Sequence, residues 1–468
     1  MPPESPRASP DTSRRAATSP FHDSGTTNGM IMEPEGAAEP EKAAEREKEV
    51  PMPDADELVA NALAAVRGTD VRQAERQLDH LMVGTGAADG TTAVDAALLR
   101  RLVRGLGRLW PRGWQPVDVD RITSRRLDAR SAQLVRDAMA VQRREQAEPV
   151  PAWWDEQLHE LAAEVRWDDD RGVLAGWSAR VGLDRADALR AAVDILALVE
   201  SLPPIAVLRP PPGTTGAATA RPAGTGRSGS PMLDRVRALL AKAESTTFPA
   251  EAEALTGKAQ ELIARHSIDE ALLAAGSERG DLPGGVRLGT DAPYAGAKAL
   301  LVQEVAAANR CEAVWSDDLG FATVLGWPAD LVAVELLYTS LLVQATAAML
   351  RGRAERRPGA GRRTRVWDES FLNAFALRIG ERLRATTEAA DRAAAETAGP
   401  ERLLPVLAAR GEAVRERLDT LFPGVTRHRL SVRDAEGWSS GTSAADRASL
   451  DVGGGRSPRQ VRGRPDPR

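Results

Sequence analysis

The sequence predicts a mainly α protein whose C-terminal part is an α+β domain, a helical hairpin followed by a small β-hairpin packed among helices. Three observations carry that prediction. Apolar residues recur at helical spacing, as in Leu58, Ala62 and Val66 or Leu98, Leu99, Leu102 and Leu106. Aromatic residues are only 4% of the 468, with 10 Trp against 6 Phe and 2 Tyr. The cores therefore rest on Leu, Val and Ala, and abundant Ala favours closely packed helices. Residues 311–315 and 321–327, finally, read as two short strands joined by a turn from Asp317 to Gly320.

Composition narrows the class. The 42% apolar and 28% charged residues are those of a globular protein, and 468 residues suffice for two or three domains. A net charge of -5 gives no global attraction to nucleic acid or to an anionic membrane. Cys311 is the sole cysteine, so an intramolecular disulfide and a cysteine-rich metal site are excluded. The N-terminus carries no basic run followed by an apolar stretch. The most apolar stretch, 331–350, contains Glu335 and Gln344, which are costly in lipid, so it is expected to be a buried core helix. The expected location is cytoplasmic.

Taken in order, residues 1–52 are rich in Pro, Ser, Gly and Glu. From Glu33 to Glu57, 10 acidic residues stand against Lys42, Arg46 and Lys48, and such an arm is expected to be disordered. Residues 53–147 form an N-terminal helical region with a loop at 84–90. From Arg100 to Asp137 it holds ten Arg against four Asp, interleaved with Trp110 and Trp114. Arg beside Trp stacks on bases and neutralises phosphates, whereas Arg on the outside of an Ala/Leu helix is the common result of solvation. Residues 148–208 form a second helical region, with helices near 154–165 and 184–202. It ends at Pro203, Pro204 and the prolines from Pro210 to Pro212, and a flexible linker occupies 209–230.

Residues 231–276 form a helical hairpin. Leu233, Val236, Leu239, Leu240 and Ala243 mark the inner face of its first helix. Ser245, Thr246 and Thr247 break the pattern, and Pro249 opens a second helix lined by Leu255, Ala259, Leu262 and Ile263. A Gly- and Asp-rich loop at 276–293 leads to a helix at 297–309. The α+β domain spans 291–453, with helices at 367–396 and 400–421 and a small-residue element at 439–450. A basic tail, 454–468, closes the chain.

The hairpin resembles the bacterial and phage family called domain of unknown function 2786, through residues 236–246 (VRALLAKAEST), 249–254 (PAEAEA) and 258–266 (KAQELIARH). The region C-terminal to the hairpin is similar to a companion family, domain of unknown function 7168. That likeness rests on Val324-Leu325-Gly326-Trp327, on Asp330, Glu335, Leu336 and Tyr338, on 370–376 (SFLNAFA) with Arg382 and Leu383, and on 441–446 (GTSAAD). Residues before 231 carry no such resemblance. Neither family implies an activity or a catalytic residue.

The chemistry-bearing motifs are weak. Gly437-Trp438-Ser439-Ser440-Gly441 fits the G-x-S-x-G elbow of a hydrolase, for which residues 430–433 offer a strand. No His follows His428, however, and a helix start built from Ser and Gly explains the residues more simply. His159-Glu160 begins like a zincin helix, but Ala163 stands where the second ligand belongs. Asp168-Asp169-Asp170 lacks EF-hand spacing and reads as an acidic turn. In the hairpin, Glu244, Glu251, Lys258 and His266 are the polar positions open to a functional role, and helix-dipole complementarity already accounts for Glu251 and His266. No catalytic residue, metal ligand or cofactor is expected.

The strongest candidate for binding is the stretch 351–365. Arg351, Arg353, Arg356, Arg357, Arg362, Arg363 and Arg365 stand there against Glu355 alone, with Trp367 adjoining as a stacking platform for nucleic acid. The plainer reading is a solvated insertion. The expected function is that of a non-enzymatic cytoplasmic binding or adaptor protein that contacts nucleic acid through such arginines. The alternatives are an enzyme of unrecognised class with its site between the hairpin and the C-terminal domain, or a protein–protein interaction module. Expected partners are nucleic acid or another protein, and not a membrane.

Overall fold

The computed structural model describes residues 54–85, 90–146, 149–165, 167, 169–213, 231–246, 248–275, 282–355, 363–426 and 434–447. The acidic arm, residues 214–230 of the linker and the basic tail lie outside these.

Among the described residues, eight helices build the N-terminal half: α1 (Ala55–Arg67), α2 (Val71–Val83), α3 (Gly90–Leu109), α4 (Pro116–Arg126), α5 (Ala129–Glu145), α6 (Ala152–Glu160), α7 (Val173–Val181) and α8 (Arg185–Ser201). Four begin at an aspartate whose carboxylate accepts a hydrogen bond from an amide of the first turn: Asp54, Asp70, Asp128 and Asp184. Each cap satisfies amides that the helix itself leaves unpaired, worth about 1 kcal/mol. Leu58, Leu106, Val135, Trp154, Trp177 and Leu196 all belong to one hydrophobic cluster. Residues 53–147 and 148–208 thus share a single core. Trp110 meets Trp154 edge-on, with ring centroids 4.9 Å apart.

The C-terminal half opens with the expected hairpin, α9 (Pro231–Ser245) and α10 (Pro249–Ala275). A three-stranded antiparallel sheet comes next, β1 (Gly284–Gly289), β2 (Glu312–Ser316) and β3 (Phe321–Gly326), in the order β1-β3-β2. The β2–β3 pair is the one read from the sequence, and its turn needs Gly320, which has φ +71°. β1 is a correction, because it lies in the stretch expected to be loop. Helices α11 (Ala295–Ala308), α12 (Pro328–Glu355), α13 (Arg363–Ala398), α14 (Pro400–Leu421) and α15 (Ala435–Arg447) complete the half. Val236 and Ile263 of the hairpin share a core with Val324 of β3, Leu337 of α12, Phe371 and Phe375 of α13 and Ala445 of α15. By length and hydropathy α12 resembles a membrane span; one face of it, with Leu337 and Leu341, is buried in this core, while Val343 and Leu350 are exposed.

The two halves are clasped by polar groups. Arg287 of β1 donates to Asp118 of α4 at 2.5 Å, to the Gly113 carbonyl at 3.1 Å and to the Ala206 carbonyl at 2.6 Å. Arg125 and Arg126 of α4 reach the Asp317 and Asp318 carbonyls of the β2–β3 turn. Leu208 packs with Leu325 and Val414 in a small apolar cluster at the same junction.

Candidate ligand cleft

Where the halves meet, a cleft of about 530 Å³ opens, walled by the start of α4, by α6, by Leu208 and Arg209, by α9, by β1 and by α12. Each helix offers it one stripe at helical spacing. On α6 the stripe is Trp153, Glu156, Gln157 and Glu160. On α9 it is Leu233, Arg237, Leu240 and Glu244, and on α12 it is Pro328, Leu331, Val332, Glu335 and Thr339. Leu208, Leu240, Leu288 and Leu331 make an apolar floor, and Glu156, Glu160, Glu244 and Glu335 stand exposed around it. Glu156, Glu244 and Glu335 form no ion pair among the described residues.

Two arginines are already engaged. Arg237 donates to Asp234 at 2.8 Å, and Arg287 is held by Asp118. Arg209 lies half-buried with its guanidinium 5.3 Å from the centre of the Trp153 ring. Burial pushes its pKa down, while Glu335, Glu156 and Asp118 pull it up from a distance. Burial, the larger influence, raises Asp118 above the usual carboxylate range although Arg287 opposes it. Three lining residues also carry a buried polar atom with no hydrogen-bond partner in the protein: Trp153 Nε1, Gln157 Oε1 and Arg287 Nε. Such atoms are uncommon in folded proteins.

The arginines singled out from the sequence are distributed otherwise. Of the stretch expected to be a loop, 351–355 form the end of α12 and 363–365 the start of α13, while 356–362 lie outside the described residues. Arg351 and Arg365 are exposed. Arg353 is not free, since its guanidinium pairs with Asp368, which also accepts from the Tyr294 hydroxyl at 2.5 Å. Arg356, Arg357 and Arg362 lie outside the described residues, as does the side chain of Arg363. Trp367 is 1% exposed and cannot act as a stacking platform. Trp110 and Trp114 are buried as well, with their indole N–H groups given to Gln142 and to the Pro203 carbonyl. Of the ten arginines from Arg100 to Arg136, Arg136 is held by Asp120 and Arg100 by Asp56, while Arg125 and Arg126 clasp the β-turn.

The remaining motifs resolve into structure. Gly437 and Gly441 lie within α15, so no strand-to-helix elbow surrounds Ser439. The strand expected at 430–433, Asp168 and His428 are outside the described residues. A Cβ on Gly437 would come within 2.5 Å of the Trp367 carbonyl, and one on Gly441 would strike the carbonyl of Phe371. These glycines therefore let α15 lie against α13. Glu251 receives Lys242 at 2.9 Å and the Thr246 hydroxyl at 2.7 Å, which hold its carboxyl below the usual range and pin the hairpin turn. Lys258 pairs with Glu261 at 2.7 Å. Of the four polar positions noted in the hairpin, only Glu244 reaches the cleft.

With this geometry in view, the comparisons with known proteins are narrow. Residues 232–270 match the family described as Protein of unknown function (DUF2786). The match covers α9 and most of α10, the helices that bring Leu233, Leu240 and Glu244 to the cleft and Ile263 to the core beneath it. No curated protein and no solved structure matches the chain.

Proposed function

We propose that the chain is a non-enzymatic binding protein, an adaptor whose cleft receives a basic, amphipathic peptide segment of a partner protein. The observation that carries this reading is the set of carboxylates on Glu156, Glu244 and Glu335, presented by three different helices around an apolar floor and paired with no cation among the described residues. Lys or Arg side chains of the ligand would complete those pairs while its apolar side chains cover Leu240 and Leu331. Exposed carboxylates on separate helices suit ion pairing better than proton transfer, which calls for a desolvated setting, and this favours binding over the enzyme alternative. Contact with nucleic acid through the arginines of 351–365 is the weaker reading, because Arg353 is spent on Asp368. The likeness of 291–453 to domain of unknown function 7168 belongs to the same proposal. It is supported by the core that this region shares with the hairpin.

The test is fluorescence anisotropy of the full chain with a labelled peptide alternating Leu and Lys, beside a Leu/Glu peptide of equal length. The Lys peptide should bind and weaken with salt. Replacing all three carboxylates (E156Q, E244Q and E335Q) should lower its affinity about tenfold, since each partly exposed pair is worth up to about 1 kcal/mol. Equal binding of both peptides, or an unchanged affinity in the triple variant, would defeat the proposal.

A further inference from the structure

A second concavity, of about 440 Å³, lies on the N-terminal half between α3 and α8. Four arginines line it: Arg101, Arg104 and Arg108 on one face of α3, and Arg112 just beyond its end. The spacing of three and four residues stacks the first three above one another. Between them sits Gly105, where a Cβ would come within 3.1 Å of Val199, so α8 approaches closely, and Val199 of α8 and Leu109 of α3 form the floor.

One carboxylate organises the group. Glu200, at the end of α8, accepts from Arg67 at 2.8 Å, from Arg101 at 3.0 Å and from Arg108 at 3.4 Å. Burial alone would raise this carboxyl, but the Arg101 and Arg67 hydrogen bonds outweigh it and hold the group below its usual range. Asp56 takes Arg100 at 2.9 Å and Arg104 at 3.6 Å. Arg112 has no side-chain partner among the described residues. Four lining guanidiniums (Arg101, Arg104, Arg108 and Arg112) therefore face one lining carboxylate, Glu200, a surplus of three positive charges around one concave surface. Since Glu200 already fixes Arg67, Arg101 and Arg108 in place, an anion entering the bowl meets donors whose ordering is largely complete.

We infer that this bowl binds the oligophosphate chain of a small phosphorylated ligand. From Arg101 to Arg108 the helix rises about 10 Å, which is longer than one phosphate. A linked chain of phosphates spans several guanidiniums at once, and the planar fork of Arg matches two phosphate oxygens. The concave shape suits a compact ligand. Its site is separate from the acidic cleft and does not depend on the peptide reading.

The experiment is isothermal titration calorimetry of the full chain at low salt with inorganic tripolyphosphate, orthophosphate and hexaglutamate as probes. Tripolyphosphate should bind at least tenfold tighter than either of the others. The R104S/R108S variant should lose tenfold or more in affinity, and R112S should lose severalfold. Because Arg104 and Arg108 are 64% and 60% exposed, the R104S/R108S variant should keep the thermal midpoint of the parent chain. R351S/R365S should bind as the parent does. Absence of tripolyphosphate binding, equal affinity for orthophosphate or hexaglutamate, or loss of binding only in R351S/R365S would each overturn the inference.

Discussion

Replacing Arg287 with Met tests whether the clasp between the two halves is what holds β1 against α4. The side chains of Arg287 and Asp118 are only 4% and 5% exposed, and they lie 2.5 Å apart. Met keeps most of the volume but leaves a buried carboxylate with the Gln115 amide and no paired cation, and it strips the Gly113 and Ala206 carbonyls of a donor. Removing one partner of such a buried pair costs about 3–5 kcal/mol. That is a large part of the roughly 5–15 kcal/mol that holds a domain folded. The pH dependence has a definite sign. Burial raises Asp118 above its unfolded value even with Arg287 beside it. A raised carboxyl contributes most to stability below its unfolded value, and that contribution is lost as pH rises through the folded value. Without Arg287 the carboxyl rises further, so acid relieves more of the damage. Urea unfolding followed by tryptophan fluorescence at about pH 7 should show the full loss, and the same measurement at about pH 5 a smaller one. A loss under about 1 kcal/mol, or one that grows toward acid pH, would refute the reasoning.

Two further expectations come from packing. Burial pushes the Cys311 thiol well above its ordinary pKa, with the charge of Asp330 adding to the effect, so a disulfide reagent should leave the native protein unlabelled and react once it is denatured. Rapid labelling of the folded chain near neutral pH would contradict its placement. Gly441→Ala should lower stability by about 1–3 kcal/mol through the clash with the Phe371 carbonyl, whereas Ser439→Ala, at an exposed position, should be neutral within about 0.5 kcal/mol. Equal melting points for the two variants would show that α15 is not docked as described.

The helices were legible because their signals are local. Stripes such as Leu98, Leu102 and Leu106 repeat at helical spacing. β1 was not legible because its residues, Gly-Gly-Val-Arg-Leu-Gly, look like loop. Its glycines answer to distant neighbours instead: a Cβ on Gly285 would come within 2.8 Å of Leu208 and 2.9 Å of Leu325. The same holds for Trp110, Trp114 and Trp367. Next to arginines in sequence they suggest an exposed stacking surface, but tertiary burial claims all three, and local sequence carries no trace of it. The cleft was hidden for another reason, since its walls come from residues 115 to 340. The one available hint was a second stripe on α9, Leu233, Arg237, Leu240 and Glu244, running beside the core-facing Val236 and Ala243.

Net charge misleads in the same way. A total of -5 averages an acidic rim at the cleft with a surplus of arginine between α3 and α8, and binding responds to the local field rather than to the sum. The cleft and the clasp are, moreover, one structure. Arg287 and Asp118 both line the cleft while joining the halves, so the geometry of the cleft is the geometry that docks β1 on α4. A ligand that bridges α6, α9 and α12 would bind only the docked arrangement and stabilise it by mass action. At a hundredfold excess over its dissociation constant that amounts to about 2.7 kcal/mol. This is close to the lower end of what the Arg287–Asp118 pair protects, so occupancy of the cleft and closure of the two halves would be coupled in this protein at comparable strength.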